Sequence, residues 1–438
     1  MKQRVLLIAL LLLAALLLAS CGTRQVEAPA AGEPAATTEA AGEQEDTTGA
    51  EQEVAEPAAE APEAIDLGAV VPLTGRLSGI GIQVERGYRL AVEKINEDGG
   101  VYVKEFDRQI PLRLNVLDDE SDPSKTVSQM EAHYSSRNIV AYLGGAGGAL
   151  HAPAAAIAEK NKVPYLGVAF ALWTPHKEGY KYLFSPFFKS PDIAENVFKF
   201  LNETIPEGER PTRVGIFQEQ SDWGIELGGL WRDKAEEYGY EVVLYEEYAL
   251  STPDFTDLIL KAQEADVQAL LALPTPPDGL TIYKQMGELG FTPDFSFFIR
   301  APDVPTWPES LGSVGDYIVL SPGWHNSVDY PGVDELNAAH QEMMGRPADV
   351  MVGPSYSAIQ ILADAIERAG TLDRDAIRDA LATTDIVTVQ GPISFREDGT
   401  ANVNFVFLQY QHGKMELVWP TEMATADFVY PAPPFDER

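Results

Sequence analysis

The sequence contains almost no cysteine: Cys21 is the only one in 438 residues. A single thiol forms neither an internal disulfide nor a thiolate metal cluster, so stability must come from packing. Basic side chains are scarce too, 32 against 67 acidic ones, for a formal charge of −35. That balance argues against nucleic acid as a partner, because backbone binding relies on Lys and Arg displacing counterions. The six histidines show no metal-ligand spacing, and neither HExxH nor GxSxG occurs. No catalytic residue, metal or cofactor is therefore expected, although fold alone never excludes an enzyme. The one long apolar run, Val5 to Ala19, is too short and badly flanked to cross a membrane.

That run has another use. Lys2 and Arg4 precede it, giving the charged n-region and apolar h-region of a secretory signal. It ends in Leu18-Ala19-Ser20-Cys21-Gly22, which resembles a bacterial lipobox. An ordinary secretory signal with a chance cysteine is the alternative. Because the sole cysteine falls at the one position a lipobox requires, lipidation at Cys21 is the favoured reading. Acyl chains there would hold the protein at a membrane without a spanning helix. Residues 22–64 carry eleven acidic side chains, one arginine and no aromatic residue. Such a stretch buries too little apolar surface to offset its ordering entropy, and it reads as a disordered acidic tether.

From residue 65 the pattern alternates strands with helices. Ile65 to Pro72 is an apolar run, followed by Val84, Tyr88, Ala91, Val92 and Ile95 at helical spacing. Ile110, Leu112, Leu114 and Val116 alternate as a strand, and Asp122-Pro123 opens a helix with a capping side chain and a first-turn proline. Strand 139–144, helix 150–161 and strand 163–169 follow. A second series starts at Ser190-Pro191, with strands at 213–218, 241–248, 267–273 and 295–300 and helices at 224–238, 254–265 and 278–289. A strand at 317–321 precedes three helices near 333–344, 354–369 and 373–382, and 404–419 reads as a hairpin turning at His412-Gly413. The fold class is therefore α/β, with two doubly wound parallel sheets in tandem. In such sheets ligands sit beyond the carboxyl ends of the strands, where strand order reverses.

Gly144-Gly145-Ala146-Gly147-Gly148 follows a strand and opens a helix, which invites a dinucleotide reading. Leu150 stands where the third glycine of GxGxxG belongs, and no Walker lysine follows. Free N–H groups at a helix start still favour a carboxylate or other anion.

These residues resemble a known family. Val71-Pro72-Leu73-Thr74-Gly75, Ala91 to Asn96 with Gly99-Gly100, and Asp118 to Pro123 look like the opening of type I periplasmic solute-binding proteins. Lys162-Val163-Pro164, Asp222-Trp223-Gly224, Asp254-Phe255-Thr256 and Gly391 to Phe395 follow in the family's order, so the likeness spans residues 65 to 420. The leucine/isoleucine/valine-binding group of ABC importers is the most similar branch. The resemblance implies two lobes, 65–186 plus 322–405 and 187–321 plus 406–438, joined by a three-crossover hinge near 186, 321 and 405. It also implies a small-molecule ligand between the lobes, ABC permease subunits as partners, a monomer, and an extracytoplasmic position, periplasmic or at the cell surface.

The same resemblance places the ligand's carboxylate at Gly148 and Ala171, where amino-acid binders carry hydroxyls that this chain lacks. Backbone N–H groups of Gly147, Gly148, Ala149 and Ala171 could serve instead, beside an apolar wall of Ala169, Phe170 and Leu172. Trp223 stands where the family has an aromatic residue, for stacking on the ligand or for packing over the helix start. Arg300 and Asp303 lie near the family's ammonium-binding acid; a surface ion pair between them is the bland alternative. A cleft-facing Arg300 would suit a carboxylate or amide oxygen. Thr275 and Trp324 are further candidates for the wall, while Trp307 suits loop packing. The expected ligand is amino-acid-like, or a carboxylate or amide with an apolar body. A sensing receptor that signals to a partner is the alternative to import.

Overall fold

The computed structural model describes residues 60–438. The signal segment 1–21, Cys21 and residues 22–59 of the tether lie outside the described residues. The first series of elements is β1 (Ile65–Val71), α1 (Ser78–Glu97), β2 (Val101–Val103), β3 (Arg108–Ile110), β4 (Leu112–Asp118), α2 (Pro123–Ser136), β5 (Ala141–Leu143), α3 (Gly148–Asn161), β6 (Tyr165–Leu166) and β7 (Leu183–Phe184). The second comprises α4 (Ser190–Thr204), β8 (Arg213–Glu219), α5 (Asp222–Glu237), β9 (Glu241–Tyr248), α6 (Thr256–Glu264), β10 (Ala269–Ala272), α7 (Pro276–Glu288), β11 (Phe295–Phe298), α8 (Thr306–Leu311) and β12 (Val319–Leu320). The chain ends with α9 (Val333–Met344), α10 (Val352–Ala369), α11 (Arg374–Ala382), β13 (Asp385–Thr388), β14 (Gly391–Phe395), β15 (Ala401–Asn402), β16 (Phe407–Gln411) and β17 (Lys414–Trp419).

Two main sheets result. The first has the order β4-β1-β5-β6-β7 and is parallel throughout. β1 is buried at nearly every position, as a strand covered on both faces requires. The second has the order β17-β16-β12-β11-β10-β8-β9; β8 to β12 are parallel, and the hairpin β16–β17 is added antiparallel at one edge. The chain passes between the two sheets three times: after β7, after β12 and before β16. After β12 it returns to the first sheet, where α10 packs on α1. The contact is close, because a Cβ at Gly87 would stand 2.5 Å from the Val352 carbonyl oxygen. Local chemistry sets the helix starts. Asp122 accepts from the Ser124 N–H at 2.7 Å to cap α2, and Ser221 accepts from the Gly224 N–H at 3.0 Å to cap α5.

Strand order reverses beside β1 in the first sheet, between β4 and β5, and beside β8 in the second, between β9 and β10. These are the places where loops part and leave a crevice. Several strands are shorter than the apolar pattern predicts, and two of them end in an abrupt turn of the backbone. The run 163–169 contributes only Tyr165–Leu166, and 295–300 only Phe295–Phe298. Beyond those points Ala169 and Arg300 adopt left-handed backbone, φ +49° and +75°, which turns the chain out of the sheet. A small antiparallel sheet, β13-β14-β15, has no counterpart in the sequence reading. The connection between its first two strands, Val389-Gln390, carries none of the Asn-Gly or Asp-Gly chemistry that marks a hairpin.

Candidate functional site

Loops from both sheets converge on one cavity. Ile80, Gly147, Ala169 and Ala171 line it from the first sheet, and Trp223, Ile299, Arg300 and Asp303 from the second. Phe187, Phe188 and Ser321 come from two of the passages between sheets, and Met351 precedes α10. The lining is mostly apolar. Its volume in this conformation is about 30 Å³. That is room for a water molecule or two, so a solute enters only if the walls move apart.

Trp223 sits in the first turn of α5, where its Nε1–H donates to Ser190 Oγ at 3.2 Å. The Arg300 guanidinium lies 5.3 Å from the centroid of that indole. Arg300 is 7% exposed, which removes the surface-pair reading. Its partner is also not Asp303. Arg300 Nη2 pairs closely with Glu219 at the end of β8, and donates to the Leu273 carbonyl at 2.6 Å. Its Nε donates to the Pro274 carbonyl at 3.2 Å. The cation is thus paired with Glu219, and Arg300 stands in the cavity wall as a buried, charge-balanced side chain.

Asp303 is the exception in this polar inventory. It is 3% exposed, and Oδ1 has no hydrogen-bond partner. Burial raises its carboxyl from 3.8 to about 7, against the lowering influence of Arg300. Asp303 also borders a second cavity of about 700 Å³ flanked by Pro305, Ala348 and Lys414. A buried acceptor without a donor is costly, and it suits a ligand nitrogen that brings its own hydrogen.

Other sequence candidates lie outside the small cavity. Gly148 faces Leu172, whose Cβ would stand 2.9 Å from an added Cβ, so any side chain there would crowd Leu172. Ala149 is exposed. Phe170 stacks on His151 at 4.3 Å, under the Lys189 ammonium. Thr275 caps α7, accepting from the Asp278 N–H at 3.4 Å. Trp324 packs on Gly353 and donates Nε1–H to the Val389 carbonyl at 2.9 Å. Trp307 likewise packs internally, donating to the Gly315 carbonyl at 3.0 Å.

Sequence reasoning missed several residues. Phe187 and Phe188 follow a predicted crossover and Glu219 comes directly after a predicted strand, positions that the loop-after-strand rule points to. Met351 carried no signal. Lys189 was also missed; buried at 2% exposure, it donates to the Phe170 carbonyl at 2.5 Å and to Ser185 Oγ at 2.7 Å. Burial holds its ammonium well below the usual lysine range. Burial and then Lys189 hold both His151 and His176 at about 3.

The walls are joined on both sides of the cavity. On one side Gln83 of α1 donates to the Asp303 carbonyl at 2.9 Å and accepts from the Met351 N–H at 3.1 Å. On the other, Glu226 of α5 accepts from the N–H groups of Trp173 and Thr174 at 2.7 and 2.8 Å.

Two doubly wound sheets, three passages between them and an enclosed cavity where their loops meet define a two-sheet α/β binding protein. A family model described as periplasmic binding protein matches residues 64–414, and the chain belongs to that family, in its type I fold. The family binds solutes outside the cytoplasm and works with ABC permeases; it is not a family of enzymes. Among curated relatives, Leu/Ile/Val-binding protein homolog 7 of Brucella abortus is 22% identical, over 85% of this chain and 96% of that protein. Among solved structures, a leucine-binding protein from Thermotoga maritima is 22% identical with TM-score 0.72, over 81% of this chain and 97% of that one. A branched-chain amino acid transporter substrate-binding protein from Streptococcus pneumoniae, in complex with isoleucine, is 20% identical with TM-score 0.72, covering 84% and 100%. A solute-binding protein from R. palustris in complex with benzoate is 16% identical with TM-score 0.71, covering 84% and 98%. Among the described residues no helix is long and apolar enough to cross a membrane.

Proposed function

We propose that this chain is the solute receptor of an ABC importer, held at the membrane through Cys21 and acting as a monomer. It takes a small organic solute with an apolar body, amino-acid-like or a carboxylate or amide, and delivers it to the permease. The reading treats 65–186 plus 322–405 and 187–321 plus 406–438 as two lobes that close on the ligand. Periplasmic binding proteins are the standard case of such hinge closure. The observation that carries the proposal is the cavity itself: apolar walls from both sheets, with one unpartnered carboxyl at Asp303. A ligand stabilises the closed form only through contacts with both sides at once, and this lining offers them.

Isoleucine and benzoate, each bound by a structurally similar protein, are the probes. Titration calorimetry should give saturable binding of at least one, and small-angle scattering should give a smaller radius of gyration with it than without. Binding of neither, with no change in the scattering curve across a wider panel of organic acids, amides and amino acids, would refute the proposal.

A further inference from the structure

Glu226 stands on the second turn of α5, on the second-sheet side, yet most of its bonds reach across to the first. Oε1 accepts from the Trp173 N–H at 2.7 Å and from Ser190 Oγ at 2.5 Å. Oε2 accepts from the Thr174 N–H at 2.8 Å and from Thr174 Oγ1 at 2.6 Å. Trp173 and Thr174 belong to the connection between β6 and β7, so three of the four donors lie on the opposite wall.

That connection is fixed from its own side. Trp173 Nε1 donates to Asp398 at 3.4 Å, His176 Nδ1 lies 2.8 Å from the Asp398 carbonyl oxygen, and Lys177 sits 3.8 Å over the Trp173 ring. The two N–H groups open the short 174–178 turn and have no carbonyl within it to donate to. They are preorganised donors waiting for an acceptor. Glu226 is half-buried at the edge of a groove of about 420 Å³ open to solvent, so water can replace it when the walls part. Ser190 also accepts from Trp223, which ties the same carboxylate to the indole lining the cavity.

We infer that Glu226 is a positioning residue, a latch that draws the two walls together independently of the solute and sets how readily the cavity opens. The inference rests on the two-lobe closure proposed above. It makes closure partly intrinsic to the protein, with the ligand adding to a bias already present. Replacing the carboxylate by an amide should shift the closed-to-open ratio about tenfold, the equilibrium weight of one charge-assisted hydrogen bond.

The test uses the full chain with Cys21→Ser and spin labels on cysteines placed at Lys160 and Asp233, both exposed. Pulsed dipolar spectroscopy without ligand should give mainly one short separation. Glu226→Gln should add a longer separation with the tenfold shift, Thr174→Val a smaller fraction of it, and Glu226→Asp should partly restore the short one. Saturating isoleucine or benzoate, whichever binds, should return each variant toward the short separation. If the parent changes separation with ligand but Glu226→Gln and Thr174→Val match it throughout, the latch is wrong and closure stands. If every protein shows one fixed separation under all conditions, closure and latch fall together. Should Glu226→Gln not fold, Thr174→Val decides alone: a longer separation supports the latch and an unchanged one overturns it.

Discussion

Arg300 is clasped between Trp223 and Glu219: its guanidinium carbon lies 5.3 Å from the indole centroid, and its Nη2 is paired with the Glu219 carboxylate. Both partners of the ion pair are buried, with side chains 9% and 2% exposed. Breaking such a pair from one side leaves the other charge stranded, whereas removing both can be nearly neutral. Arg300→Gln and Glu219→Gln should therefore each lower unfolding stability by about 3 to 5 kcal/mol. The double variant should lose much less than the sum. Urea denaturation of the four proteins checks this; additive losses would mean that the pair is not coupled.

Asp303 provides a pH signature. Its carboxyl is raised from 3.8 to about 7, so the folded protein holds a proton that the unfolded chain has released. Its contribution to stability is then greatest below pH 4, falls as the pH climbs toward 7, and levels off above. Asp303→Asn lacks that fall, and its stability relative to wild type should improve by about 3 kcal/mol from pH 5 to pH 8, or roughly two pKa units. Parallel stability curves for the two proteins would remove the argument.

Trp223 offers the largest aromatic surface in the cavity. Trp223→Ala should weaken binding of isoleucine or benzoate, whichever binds, by at least about tenfold. Trp223→Phe should cost less, because it keeps a ring and gives up the bond to Ser190. Calorimetric titration separates these outcomes, and an unchanged affinity in the alanine variant would place the solute elsewhere.

Membrane attachment is tested outside the described residues. Wild-type protein should incorporate labelled palmitate and sediment with membranes, while Cys21→Ser should do neither. Equal labelling of the two would rule out the anchor.

Much of the fold was legible because helix and strand periods, capping residues and turn glycines agree with one another along the chain. Asp122-Pro123 predicts the start of α2, and that helix begins at Pro123. The site was less legible. Ala169 and Arg300 carry apolar or strand-like sequence right up to the point where the backbone turns left-handed, and no local rule marks an alanine or arginine for that conformation. Pairing was equally hidden: Arg300 and Asp303 are neighbours in sequence, yet the charge that meets Arg300 comes from Glu219 at the end of β8. Gly148 was placed correctly at a helix start, but that an added side chain would meet Leu172 could not be read from the sequence.

The two sheets share no strand and are strung together by three short stretches of chain. In the closure proposed above, such a linkage would act as the fulcrum of a lever. Three anchorage points restrain shear and twisting, and leave bending as the easiest deformation. Backbone adjustments of a few degrees at the fulcrum would be magnified with distance along each arm, so in that motion the rim of the crevice would travel farthest. Substitutions beside the fulcrum, such as at Phe188 packed under Gly323, would thus be felt most strongly at the far lip, where they touch nothing.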